Sequence, residues 1–282
     1  MPASVSLVNI CATLVTAAMG LVAGAAASRC AWAWVHDASM RTAAFRCASC
    51  GRPLALRPLA HRCPVCGHRV AMRGPAELVL ALAWATLLWR FGPSPELAQM
   101  AALAAILLTL SLTDLLAYVI PNWTILAAIV TRLAYIGLAG ARGTADAAWL
   151  LLASLFSAVA ITLPLVLLTL VMDRALGRDS LGGGDVKLFF VVGLCFGLEQ
   201  GLLVVALSCL LGLASHGLLL LAGRRRAPSG EPPAKEGRAH RADAPAEVPP
   251  HAFPFGPAIA CACWVVALLG PSLVDWYLTL LA

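Results

Sequence analysis

Charge is scarce in this chain: 12% of its 282 residues are Asp, Glu, Lys or Arg, and only 14 are acidic. With 61% of the residues hydrophobic, a soluble globular protein is excluded and several bilayer spans are implied. Aromatic residues make up only 7%. No stacking platform or nucleic-acid-binding motif accompanies the net charge of +6, so no nucleic-acid partner is expected. No Lys or Arg precedes Arg29, which counts against a cleaved secretory signal, whose positive charge stands at its start. The small-residue stretch Gly24-Ala25-Ala26-Ala27 is the evidence on the other side. The chain also lacks the inverted repeat of a transporter and a glycine-rich nucleotide-binding segment.

What is present is a series of long apolar runs. They predict about eight helices, at roughly 4–28, 76–91, 97–113, 123–140, 148–171, 187–198, 201–222 and 254–281. The sixth is short and interrupted by glycine, so it is expected to be half-inserted or tightly joined to the seventh. Of the 20 Lys and Arg residues, 17 fall in three loops that an eight-helix count puts on one side, and the positive-inside rule makes that side the cytoplasm. The fold class expected is an all-α polytopic membrane protein of about eight transmembrane helices, with a small cytoplasmic four-cysteine zinc-binding domain after the first. Residues 1–28 form the first transmembrane helix, 29–75 the zinc-binding domain and 76–282 the main bundle. Within the bundle, loop 223–252 is rich in Pro, Ala, Arg and Glu and is expected to be disordered. The run Arg224-Arg225-Arg226 reads as a helix-end anchor.

Cys47-Ala48-Ser49-Cys50-Gly51 and Cys63-Pro64-Val65-Cys66-Gly67 each present two thiols on a tight turn. The trailing glycine permits the left-handed backbone of a knuckle, and four cysteines in two such pairs suit a tetrahedral zinc ion. A reducing cytoplasm disfavours the disulfide alternative. His61 and His68 flank the site as possible substitutes. Cys11, Cys30, Cys195, Cys209, Cys261 and Cys263 read as packing residues in apolar helices.

Two acids stand at the lip of the bilayer. Asp114 closes the apolar run from Leu97 to Thr113, with Ile120-Pro121 shortly after it; Asp185 follows Gly182-Gly183-Gly184 and opens the next apolar run. A carboxylate there is costly and points to function. Two carboxylates can hydrolyse a peptide bond when one acts as base toward water and the other polarises the carbonyl as an acid, their titrations being coupled. Taken singly, Asp185 also reads as an N-cap and Asp114 as a helix-end residue exposed to headgroups. Arg132, near the middle of the fourth helix, is expected to face inward, either holding the bundle or steering a substrate. His216 reads as an interhelical hydrogen-bonding residue and Lys187 as an interfacial anchor. Trp84, Trp89, Trp123, Trp149, Trp264 and Trp276 are expected to mark interfaces.

Several of these motifs together resemble the bacterial prepilin peptidases, membrane aspartic endopeptidases with a GxGD motif. Gly182 to Lys187 matches GxGDxK, Asp114 with Ile120-Pro121 matches the first-aspartate motif, and Phe253-Pro254-Phe255-Gly256-Pro257 resembles the PFGP box. The double CxxC followed by Arg73-Gly74-Pro75-Ala76-Glu77 fits as well. The resemblance implies a catalytic pair of Asp114 and Asp185 in an inner-membrane enzyme. It also implies prepilin or pseudopilin substrates, cut after their basic leader at the cytoplasmic face, and N-methylation of the new terminus with S-adenosylmethionine. Two departures stand out: Gly24-Ala25-Ala26-Ala27-Ser28 replaces the usual G-S-F-L-N stretch, and Asn122 stands where many members have an Asp. The rival readings are a pilin-assembly protein that binds without cutting, and a cation or proton transporter using the same acids.

Overall fold

The structure, a computed structural model, describes residues 7–36, 47, 49–52, 62–68, 73–177, 182–223 and 254–281. Among the described residues seven helices follow one another: α1 (Leu7–Val35), α2 (Arg73–Phe91), α3 (Pro95–Ala117), α4 (Asn122–Ala141), α5 (Ala147–Leu176), α6 (Gly183–Gly223) and α7 (Gly256–Leu281). Gly223, the first residue of the expected disordered loop, ends α6; residues 224–252 of that loop with the Arg224 to Arg226 anchor, together with His61, Phe253 and the Trp276 side chain, lie outside the described residues. Six of them are long and apolar enough to cross a membrane, all but the 19-residue α2. The protein is a multi-pass membrane protein.

The eight expected helices appear here as seven because α6 holds two of them. Gly197 has φ 77° and ψ −176°, a backbone state essentially reserved for glycine. A Cβ on Gly201 would lie 3.6 Å from the Cα of Gly193, whereas eight residues of straight helix rise about 12 Å. The chain therefore doubles back at Gly197, and residues 183–196 lie beside residues 198–223. Of the two outcomes expected for the sixth helix, the tight joint is the one observed.

Lipid tails are as apolar as leucine, so helices in a bilayer associate by close packing rather than by escaping water. Helix α1 shows how. Gly20 and Gly24 lie against the α2 backbone, where added Cβ atoms would come within 2.7 Å of Ala81 Cα and 2.6 Å of Glu77 Cα. The small-residue stretch that could have marked a cleavage site is thus a packing stripe, and α1 continues through a buried Arg29 to Val35. The central core draws Leu103, Leu107 and Leu110 from α3, Phe189 and Val192 from α6, and Ile259 and Val266 from α7.

Arg132 ties three helices together. It donates to Ser154 Oγ at 2.8 Å and to Gln99 Oε1 at 3.3 Å, and lies 5.3 Å from the centre of the Tyr135 ring. The Tyr135 hydroxyl in turn donates to Glu96 at 2.9 Å. These contacts fit the bundle-holding reading. His216 is exposed on the second half of α6. Three tryptophans bridge helices through their indole N–H groups: Trp84 to Ala101, Trp89 to Thr13 and Trp264 to Thr86.

Candidate active site and metal centre

Asp114 lies in the last turn of α3 and is buried. The helix stops four residues later, where Tyr118 takes a left-handed conformation (φ 54°) and its N–H caps the Asp114 carbonyl at 2.8 Å. A non-glycine residue in that conformation costs about 1–2 kcal/mol. The resulting turn carries Ile120-Pro121 to the start of α4. The carboxylate is held from a third helix: Oδ2 accepts the Gly256 N–H at 2.7 Å. Gly256 opens α7, where backbone N–H groups lack intrahelical partners and the helix dipole favours a negative group. A Cβ at position 256 would lie 2.9 Å from Asp114 Oδ2 and 3.1 Å from Leu110 Cδ2. A side chain at this position would force Asp114 or Leu110 to shift.

Asp185 sits half-buried in the first turn of α6, at the same end of the bundle, within Coulombic reach of Asp114. Two contacts join the segments that carry the two acids. Gly184 packs against Ile120, whose Cβ would stand 3.0 Å from a Cβ at 184. Lys187 Nζ donates to Asn122 Oδ1 at 3.0 Å, so Lys187, expected to serve as an anchor, also links α6 to α4. The glycines of the motif divide their work: Gly184 is used in packing, whereas a Cβ on Gly183 would meet nothing within 4 Å, leaving that backbone open to another chain.

The four cysteines converge as expected. Their sulfur atoms all lie within 4.8 Å of one another, with Cys47 to Cys66 at 3.6 Å and Cys50 to Cys63 at 3.7 Å. A tetrahedron with zinc–sulfur bonds of about 2.3 Å has edges of about 3.8 Å, so the spacing fits that ion. The two loops repeat one pattern. Cys47 and Cys63 N–H groups donate to the Arg52 and His68 carbonyls, while Gly51 and Gly67 N–H groups return to the Cys47 and Cys63 carbonyls. Both glycines are left-handed, at φ 67° and 70°. Hydrogen bonds from the backbone of Cys66 and then Val65 lower the Cys63 thiol to about 6, whereas desolvation and the neighbouring thiols push Cys50 up to about 11, so the thiolate that a metal requires forms most readily at Cys63.

The profile of the type IV leader peptidase family matches residues 101–216, the stretch that contains both acids. That stretch resembles the type IV leader peptidases. The "Prepilin leader peptidase/N-methyltransferase" of Bacillus subtilis (strain 168) is 28% identical over 205 residues, covering 72% of this chain and 68% of that protein. Proteins of the same name from Aeromonas hydrophila and Xanthomonas campestris are each 33% identical, over 104 and 103 residues. Those matches span 36% of this chain and 28% of the relatives. No solved structure matches the chain. Gly256 and the four cysteines fall outside the leader-peptidase stretch, and the contact of Gly256 with Asp114 was not anticipated from the sequence. The PFGP likeness was its nearest signal.

Proposed function

We propose that this chain is an inner-membrane aspartic endopeptidase that removes the basic leader of type IV prepilins or type II secretion pseudopilins at the cytoplasmic face. Asp114 and Asp185 form its catalytic pair. The observation that carries this reading is the joining of the two acid-bearing segments, through Gly184 on Ile120 and Lys187 on Asn122, at one end of an apolar bundle. Residues 1–28 form the first span, 29–75 the cytoplasmic zinc domain and 76–282 the peptidase bundle, with α1 extending into the second of these parts.

In the proposed reaction the ionised carboxylate takes a proton from water as the water oxygen attacks the scissile carbonyl carbon. The other carboxyl, protonated, donates to the carbonyl oxygen, so the tetrahedral intermediate is a neutral gem-diol. Its collapse breaks the C–N bond. One carboxyl supplies the proton taken by the leaving amine, and a hydroxyl proton of the gem-diol returns to the pair, restoring one acid and one carboxylate. The Gly256 N–H fixes the orientation of Asp114 throughout.

Cys47, Cys50, Cys63 and Cys66 would hold a structural zinc ion. When bound it ties the two knuckles together, stabilising a segment with few apolar residues of its own. N-methylation with S-adenosylmethionine rests on the names of the relatives. The cavity between α2, α3 and α7 is lined almost wholly by apolar side chains and does not fit that cofactor's charged groups, so no step is derived through it.

Co-expression with a full-length prepilin, followed by mass measurement of the pilin's N-terminal peptide, tests the reading. A leader-free peptide is expected with the native chain and intact precursor with Asp114→Asn. An added methyl mass would establish the second activity. Precursor left intact by the native chain across several pilins, yet still bound, would favour a binding protein and overturn the peptidase.

A further inference from the structure

A cavity of about 420 Å³ lies between α2, α3 and α7, backed by the core residues Leu103, Leu107 and Cys263. Its position is informative at both ends. At the aspartate end it is lined by Leu115 and Pro257, the residues that directly follow Asp114 and Gly256, so it flanks their hydrogen bond. Toward the other end, which Leu87, Met100 and Ala267 line, the Trp264 indole donates to Thr86 Oγ1 at 3.1 Å and ties α7 to α2. Between these ends Ala83, Ala104 and Ala260, one from each helix, leave the hollow. Exposed Val79 and Leu82 form its lipid-facing rim.

The dimensions suit one kind of occupant. Lining residues on α3 run from Met100 to Leu115, roughly 22 Å at 1.5 Å per residue, or about four helical turns. A hollow that is open along one side takes one face of a helix, ridge into groove, and leaves the other face to lipid. We propose that this groove seats the apolar helix of the precursor that follows its leader, so that the bond to be cut comes to rest beside Asp114. The proposal rests on the peptidase reading above and adds the path of the substrate. A lipid chain would fill the same apolar space but would gain nothing from an end that lies beside the Asp114–Gly256 contact.

Cys261 is exposed and lines the groove, which supplies a native handle. In the full-length Asp185→Asn protein, a bismaleimide should join Cys261 to single cysteines placed along the precursor's apolar helix. Positions three and four residues apart should react and those between them should not. Cys261→Ser should abolish the adduct. Separately, Ala260→Trp and Ala104→Phe fill the groove in the active protein. They should raise KM for full-length precursor about tenfold or more, while Leu210→Trp, on an exposed face of α6, should leave it unchanged. Normal KM in both filled variants, or no Cys261-dependent adduct while the native chain still cuts, would overturn the groove alone. An adduct with precursor that the native chain never cuts would keep the groove and remove the peptidase.

Discussion

The Gly256 amide holds Asp114 Oδ2 at 2.7 Å from a helix 142 residues further along the chain. Gly256→Ala would place a methyl 2.9 Å from that oxygen, forcing Asp114 or the start of α7 to move. We expect leader cleavage to fall about a hundredfold, in line with the effect of small displacements at catalytic groups, with the protein still inserted; near-normal initial rates would show that the contact is dispensable. Lys187→Met removes the donor to Asn122, a contact of about 1 kcal/mol. It should lower kcat roughly fivefold at unchanged KM, whereas a rise in KM alone would assign Lys187 to substrate binding. The two acids were legible in the sequence because a carboxylate beside a long apolar run demands an explanation. The partner of Asp114 was not, since a backbone N–H leaves no trace in residue type. In the sequence Asn122 stands out only as a departure from a family pattern, and its bond to Lys187 depends on how α4 and α6 meet.

At the scale of elements, apolar length located most helices to within a few residues, because in lipid every backbone group must be paired within its own segment. Helix α1 runs seven residues past its expected end, because Arg29, a loop charge by sequence, is buried within the helix. The hairpin within α6 was half legible: its glycines were visible, but the left-handed turn at Gly197 depends on packing against α5, where Gly193 meets Ala158. Gly197→Ala should cost about 1–3 kcal/mol and lower the unfolding temperature in detergent; an unchanged temperature would show that the turn tolerates a side chain. The cysteine knuckles were the most legible element, because the CxxCG repeat encodes both ligands and turn. Metal analysis of the purified full chain should find about one zinc per molecule, and Cys63→Ser should lose most of it. Retention of zinc by Cys63→Ser would place the ion elsewhere.

For the whole molecule, the arrangement separates two tasks. One end of the bundle gathers Asp114, Asp185, Gly256 and the Lys187–Asn122 link. The other half is held by polar and aromatic contacts around Arg132, which reach Glu96 through Tyr135. The proposed function, with the charge placement in the sequence, calls for the acidic end to face the cytoplasm, where a basic leader would wait and water is available. What composition could not convey is how the helices pack: the hollow along α2, α3 and α7 arises from alanines whose meeting depends on three separate segments. The central claim is that Asp114 and Asp185 act as one unit. Its most direct test is the initial rate of leader release from a purified prepilin by the native chain, by Asp114→Asn, by Asp185→Asn and by the double variant. Residues that work as a unit are strongly non-additive, so each single variant should be as inactive as the double one, at least about a thousandfold below the native chain. A single variant that keeps a tenth or more of the native rate, or losses that multiply in the double variant, would contradict the account.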